Sequence, residues 1–224
     1  MKHAVSDELK RTIQQTGLNM VRDGMTIGTW GNFSIRDFET GYIYISPSGM
    51  DYASIQPQHV VVMTTEIEII DGEAEPSVEK HMHAEVYKAR TDVGAVIHTH
   101  PVYSSVFGAV WMDLPAVSED FAQIVGSEAR CCPNYRLPGT VELGLEAVAT
   151  LGEYNAVILP NHGALSVGPD MRTALKVSLV LEKNAQIYLL AKLLGTPRLF
   201  EQKDIDTMQQ FARQHYGKKN LGLG

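Results

Sequence analysis

The sequence predicts an α/β domain in which helices cover a mainly antiparallel sheet, and three observations lead there. At 224 residues the chain is one domain of ordinary size, spanning 1–224, long enough to bury a core. Apolar runs of strand length mix irregularly with helical periodicity, so no regular strand–helix–strand rhythm is set up. Several of those runs are separated only by turn-forming residues, which joins them as hairpins rather than as parallel crossovers.

From Ser6 to Asp23, Leu9, Ile13, Leu18 and Val21 recur at helical spacing, with Ser6 as N-cap and Gly24 just past the end. Thr29 to Asn32 then punctuates with glycine, after which Phe33–Arg36 and Tyr42–Ile45 read as paired strands around Asp37–Gly41. Ser46–Gly49 is a turn, and Val60–Met63 with Glu66–Ile70 form a second strand pair around Thr64 and Thr65. Ser77 caps a helix to about Arg90, with Met82, Val86 and Ala89 on its apolar face. Ala95–Ile97 is a short buried strand that ends at His98-Thr99-His100-Pro101, because proline cannot continue a central ladder. Residues 102–130 read as mixed short helices and 141–151 as another helix. Ala156–Leu159 and Ala164–Val167 are strands around Pro160-Asn161-His162-Gly163, and Met171–Leu194 is the longest helix.

Composition excludes several classes of function. A formal charge of −7 and 44% hydrophobic residues argue against disorder and against a sequence-independent grip on nucleic acid or anionic lipid. No apolar run approaches the ~20 residues that span a bilayer. The polar stretch Met1–Lys10 lacks a secretory core, so a cytoplasmic protein is expected. Cys131 and Cys132 are adjacent and build no disulfide framework.

Chemistry concentrates in His98-Thr99-His100. Residues two apart on an extended segment point to one side, so these imidazoles can share a metal ion, or be two polar residues in a loop. His162 follows another buried strand in a turn that Gly163 lets bend, and Glu79 at the start of the 77–90 helix offers an oxygen or merely complements the helix dipole. Three histidines and a carboxylate suit zinc or a similar divalent ion. His81 falls on another helical face, His83 is expected as a packed ring supporting the ligands, and His59, His215 and His3 lack a partner in the pattern. Thr29, Gly31, Asn32, Ser48, Gly49 and Ser77 put hydroxyls, an amide and free N–H groups at loop tips. Such groups hold a phosphate without much positive charge, or are ordinary turns.

Taken in order, Gly28-Thr29-Trp30-Gly31-Asn32-Phe33-Ser34, Ile45–Gly49, Pro76–Glu79, His98–Pro101, Pro138-Gly139-Thr140 and Asn161-His162-Gly163 resemble the class II aldolase/adducin family, in its sugar-phosphate aldolase branch, over nearly the whole chain. The resemblance implies a three-layer αβα domain on a nine-stranded, mainly antiparallel sheet, and a homotetramer with active sites between subunits. It makes His98, His100 and His162 metal ligands, with Glu79 a fourth that also moves a proton. It puts the substrate phosphate on Gly31, Asn32, Ser48, Gly49, Ser77 and Val78. Val78 stands where these enzymes commonly carry a second serine and offers only its N–H. Glu119 stands where a tyrosine handles the aldehyde-side proton, as the glutamate of the related methylthioribulose-phosphate dehydratases does, and Tyr216 matches a C-terminal tyrosine lent to a neighbouring subunit. The activity implied is metal-dependent cleavage of a ketose 1-phosphate to dihydroxyacetone phosphate and an aldehyde. Dehydratase, 4-epimerase, decarboxylase and non-enzymatic adducin-like relatives are the alternatives. Zinc is expected first, with manganese, cobalt or iron able to use the same donors.

Overall fold

The computed structural model describes residues 5–214. Its first helix, α1 (Asp7–Arg22), starts where the sequence places it: the Ser6 hydroxyl accepts from the Leu9 N–H at 3.3 Å, and Asp7 and Glu8 face the positive end of the dipole. Gly24 follows with φ +69°, the left-handed conformation that glycine adopts without cost. Strands β1 (Asn32–Arg36) and β2 (Ile43–Ile45) pair antiparallel, as do β3 (Val61–Met63) and β4 (Ile69–Asp71). β4 begins later than the apolar run suggests. The Thr64 hydroxyl accepts from the N–H groups of Glu66 and Glu68, both at 3.2 Å, which commits those residues to the turn.

Helix α2 (Lys80–Ala89) also begins later than expected, with Glu79 rather than Ser77 at the N-cap position. The Ser77 hydroxyl instead accepts from the Glu79 N–H at 3.2 Å and holds the chain in a turn before the helix. β5 (Ala95–Thr99) leads into α3 (Val102–Val110), whose N-terminus is capped from a distance: Glu182 accepts from the N–H groups of Tyr103 and Ser104 at 2.7 and 2.8 Å.

The 102–130 region departs from its reading, because it holds two strands, β6 (Leu114–Pro115) and β7 (Glu128–Cys131), with the short helix α4 (Glu119–Ile124) between them. β6 is two residues long and contains proline, which an edge strand tolerates, and β7 buries only Ala129, so neither carries strand periodicity. α5 (Val141–Leu151), β8 (Ala156–Leu159), β9 (Gly163–Gly168) and α6 (Met171–Leu194) lie where the sequence puts them. A further helix, α7 (Gln202–Gln214), lies beyond the last element read from the sequence.

The nine strands form one sheet in the order β4-β3-β2-β1-β5-β9-β8-β7-β6, antiparallel except for β7 against β8. Strand alternation sorts side chains between two cores. Ile43, Ile45, Val61, Met63, Val96, Val157, Leu165 and Val167 pack under α2 and α5. On the other face Phe33, Ile35, Tyr44, Val62, Ala95 and Ile97 pack with α1, and Ala156, Ile158 and Ala164 with α3, α4 and α6. The three-layer αβα arrangement is therefore present, and it delivers the ends of β1, β5, β8 and α2 to one end of the sheet.

Candidate active site

His98 lies in the middle of the sheet, facing Asn32 of β1 on one side and Leu165 of β9 on the other, and is fully buried. Its Nδ1 donates to the Ala164 carbonyl at 3.0 Å, so the lone pair is on Nε2. His100 follows just after the strand, its N–H bonded to the Met25 carbonyl at 3.0 Å. His162 comes from the β8–β9 turn. There Asn161 takes φ +54°, and its Oδ1 accepts from Trp111 Nε1 at 2.8 Å. Gly163 is required because a Cβ there would stand 2.2 Å from the Thr99 carbonyl oxygen.

The three rings meet with centroids 4.6, 4.6 and 5.1 Å apart, and each offers a ligand nitrogen within 4.8 Å of the others. Glu79 joins them from the start of α2, with Oε2 at 3.2 Å from His98 Nε2 and Oε1 at 3.5 Å from His162 Nε2. Glu79 Oε1 and His162 Nδ1 are buried without a hydrogen-bond partner. Lone pairs that converge, orphaned polar atoms and an N3O donor set fit a divalent cation. Burial pushes His98 and His162 down to about 3, each helped by a neighbouring ring, and lowers His100 against the pull of Glu79. All three are therefore neutral and able to ligate at pH 7.

The same burial makes a prediction for the metal-free protein. His83, fully buried, is also held down to about 3, first by desolvation and then by His98. Below an unfolded value near 6.5 the unfolded chain binds protons that these folded rings cannot, so stability falls with pH through the window 6.5 to 3. Each ring engaged removes about 1.4 kcal/mol per pH unit. Urea unfolding of the metal-free chain at pH 7 and pH 5 should show a loss of several kcal/mol, and equal stabilities would contradict the neutral cluster.

Thr29, Gly31, Asn32, Ser48, Gly49, Ser77 and Val78 line one cleft of about 600 Å³ together with Glu79, His100 and His162. Gly31 and Gly49 take φ +95° and +64°, and the 46–49 and 75–77 loops are tied by Ser48 N–H to the Glu75 carbonyl and Ser77 N–H to the Ser46 carbonyl. Among the described residues that line it there is no lysine or arginine, and what they offer an anion is N–H groups and hydroxyls. The cleft also takes Trp30, Tyr135, Pro138 and Asn161. Three of these sit inside motifs recognised in the sequence, whereas nothing in the pattern around Tyr135 marks it.

Glu119 is not in this cleft. It is exposed at the first residue of α4, which connects the edge strand β6 to β7, after a segment fixed by Asn184, whose Oδ1 accepts from the Val117 N–H and the Ser118 hydroxyl, both at 3.1 Å. Tyr216 lies outside the described residues.

Residues 11–189 match the family described as class II aldolase and adducin N-terminal domain. The chain is 37% identical over 201 residues to the 5-deoxy-D-ribulose 1-phosphate aldolase of Bacillus thuringiensis serovar kurstaki, covering 90% of this chain and 92% of the relative. Its fold superposes on a solved L-fuculose 1-phosphate aldolase with a TM-score of 0.91 at 32% identity, over 95% of this chain and 100% of that one. An L-fuculose-1-phosphate aldolase from Thermus thermophilus aligns with a TM-score of 0.75 at 27% identity, over 87% of this chain and 100% of that one.

Proposed function

Because the chain belongs to the class II aldolase and adducin family, we propose that it is a divalent-metal-dependent aldolase that splits a ketose 1-phosphate reversibly into dihydroxyacetone phosphate and an aldehyde. One observation carries the reading: the Glu79 carboxylate stands within 3.5 Å of two imidazoles of the cluster, in a cleft that also contains the loop-tip N–H groups and hydroxyls. A proton carrier, a cation site and an anion cradle thus share one cavity.

His98, His100, His162 and Glu79 would hold the ion, zinc by ligand type, with manganese, cobalt or iron suited to the same donors. Bound there, it would supply Lewis-acid stabilisation to the negative charge that builds beside the carbonyl when the C3–C4 bond breaks. Glu79 delivers the proton to C3 of the dihydroxyacetone phosphate half and removes it in the reverse direction. The backbone at Gly31, Gly49 and Val78 and the side chains of Thr29, Asn32, Ser48 and Ser77 hold the phosphate and thereby place C3. In a homotetramer, Glu119 and Tyr216 serve the aldehyde-side hydroxyl of a neighbouring copy's site, which accounts for the absence of Glu119 from its own cleft. We assign the enzyme to the cytoplasm. Among the described residues no helix is long and apolar enough to cross a membrane.

The test offers the metal-loaded chain 5-deoxyribulose, fuculose, rhamnulose, ribulose and methylthioribulose 1-phosphates and measures dihydroxyacetone phosphate. Release is expected from a deoxy sugar, 5-deoxyribulose or fuculose 1-phosphate, ahead of ribulose 1-phosphate. Loss of water from the methylthio sugar with no dihydroxyacetone phosphate from any of the five would instead establish the dehydratase alternative.

A further inference from the structure

Behind the cleft, a continuous line of polar side chains runs between β1 and α2 from Glu79 and Asn32 to His83, Ser34 and Tyr87, and the chemistry above gives the last three no role. β1 turns Asn32 and Ser34 toward α2, and α2 returns Glu79, His83 and Tyr87, four residues apart. Two residues of strand advance about 6.6 Å and four of helix about 6 Å, so the two rows stay in step. Ser34 Oγ lies 2.9 Å from the Tyr87 hydroxyl and 2.7 Å from His83 Nδ1. His83 Nε2 is 2.6 Å from Asn32 Oδ1, and Asn32 Nδ2 donates to Glu79 Oε2 at 2.8 Å. All five side chains are buried.

The line has one polarity. A carboxylate only accepts, so Asn32 must give it the NH2 group and turn Oδ1 toward His83. That oxygen needs a proton on His83 Nε2, which leaves Nδ1 to accept from the Ser34 hydroxyl. The Tyr87 hydroxyl closes the line by donating its one proton to Ser34 Oγ at 2.9 Å, with the Ser34 carbonyl at the same distance as a second acceptor for it. A flipped Asn32 would set its oxygen against the carboxylate, and the other His83 tautomer would leave a buried acceptor facing Asn32 Oδ1.

We propose that His83 is a positioning residue for the proton-moving carboxylate: it fixes the Asn32 amide, which anchors Oε2 of Glu79 and leaves Oε1 unclaimed by protein donors. The proposal rests on the aldolase reading for the role of Glu79. Oε1 is the carboxylate oxygen without a partner, so the anchoring sets which lone pairs remain for chemistry.

The first readout needs neither metal nor substrate. In the 15N-labelled, metal-free full chain, His83 should be protonated at Nε2 and not at Nδ1, and the Asn32 side-chain amide should exchange slowly with solvent. His83→Leu should abolish that protection, and His83→Gln, which keeps an N–H for Asn32 Oδ1, should retain most of it. In the metal-loaded chain, His83→Leu should lower kcat for exchange of the C3 hydrogen of dihydroxyacetone phosphate with solvent by about 10- to 100-fold, with KM little changed. His83→Gln should recover most of this loss, and His83→Leu added to Asn32→Ala should cost nothing further. A proton on His83 Nδ1, a wild-type rate in His83→Leu, or two losses that multiply in the double variant would overturn the proposal. If the wild-type chain neither exchanged that hydrogen nor released dihydroxyacetone phosphate, the aldolase reading would fail, while the tautomer and amide measurements would still decide whether His83 fixes Asn32.

Discussion

Glu79→Gln should lower dihydroxyacetone phosphate release by about 10³-fold, within the 10² to 10⁴ that a positioned acid or base contributes, while the chain still folds. Glutamine has the shape of glutamate and keeps an oxygen for Asn32 Nδ2, which donates to Glu79 at 2.8 Å. The amide has no oxygen that takes up and returns a proton at working pH. Because C3 would lose its proton carrier while the phosphate-binding loops stay intact, the loss should fall on kcat and leave KM within a few-fold. Steady-state kinetics on chains loaded to equal metal content make the comparison. A decline of less than tenfold would remove Glu79 from the chemistry.

His162→Ala should have the other large effect, and it should act through the metal. The ring lies in the β8–β9 turn with one face toward the cleft, whereas His98 is locked inside the central strands. Removing His162 therefore perturbs the fold less than removing His98 would. It deletes one of three imidazole donors, so bound metal should fall well below one ion per chain. Turnover should drop at least about 10³-fold, since several kcal/mol of charge stabilisation leave with the ion. Excess metal should restore part of the rate in His162→Ala and none in Glu79→Gln, which separates the two roles. A variant that kept a full complement of metal would show that His162 is not a ligand.

Most of the fold was legible because the central elements obey simple periods. Ala156–Leu159 and Met171–Leu194 are bounded by glycine, proline or a capping aspartate, and local chemistry alone sets their ends. What escaped was β6 and β7, which are strands by virtue of their neighbours: Leu114-Pro115 pairs only with Glu128 and Ala129, and β7 in turn leans on β8. Helix α2 begins later than its sequence suggests for a related reason, since Ser77 satisfies a local turn and the helix waits for Glu79.

In the site, His98, His100, His162, Glu79 and the loop-tip residues could be singled out because each lies in a short motif with its own mechanism. Sequence reasoning expected His83 as a supporting ring, and the structure sets it against Asn32 rather than against a ligand imidazole. The spacing of Glu79, His83 and Tyr87, read against Asn32 and Ser34, carried that signal, but it becomes visible only once β1 is known to run under α2. Tyr135 belongs to the cleft solely because an irregular segment brings it there.

The central claim is that the three-imidazole cluster with Glu79 is a catalytic metal site. Its most direct test is to strip the chain with a chelator, return a divalent metal in steps, and measure bound metal and dihydroxyacetone phosphate release from 5-deoxyribulose or fuculose 1-phosphate at each step. The account predicts no release without metal and a rate that rises in proportion to occupancy, levelling at one ion per chain. Full turnover by the stripped chain, or metal bound at one per chain without turnover of either substrate, would contradict it.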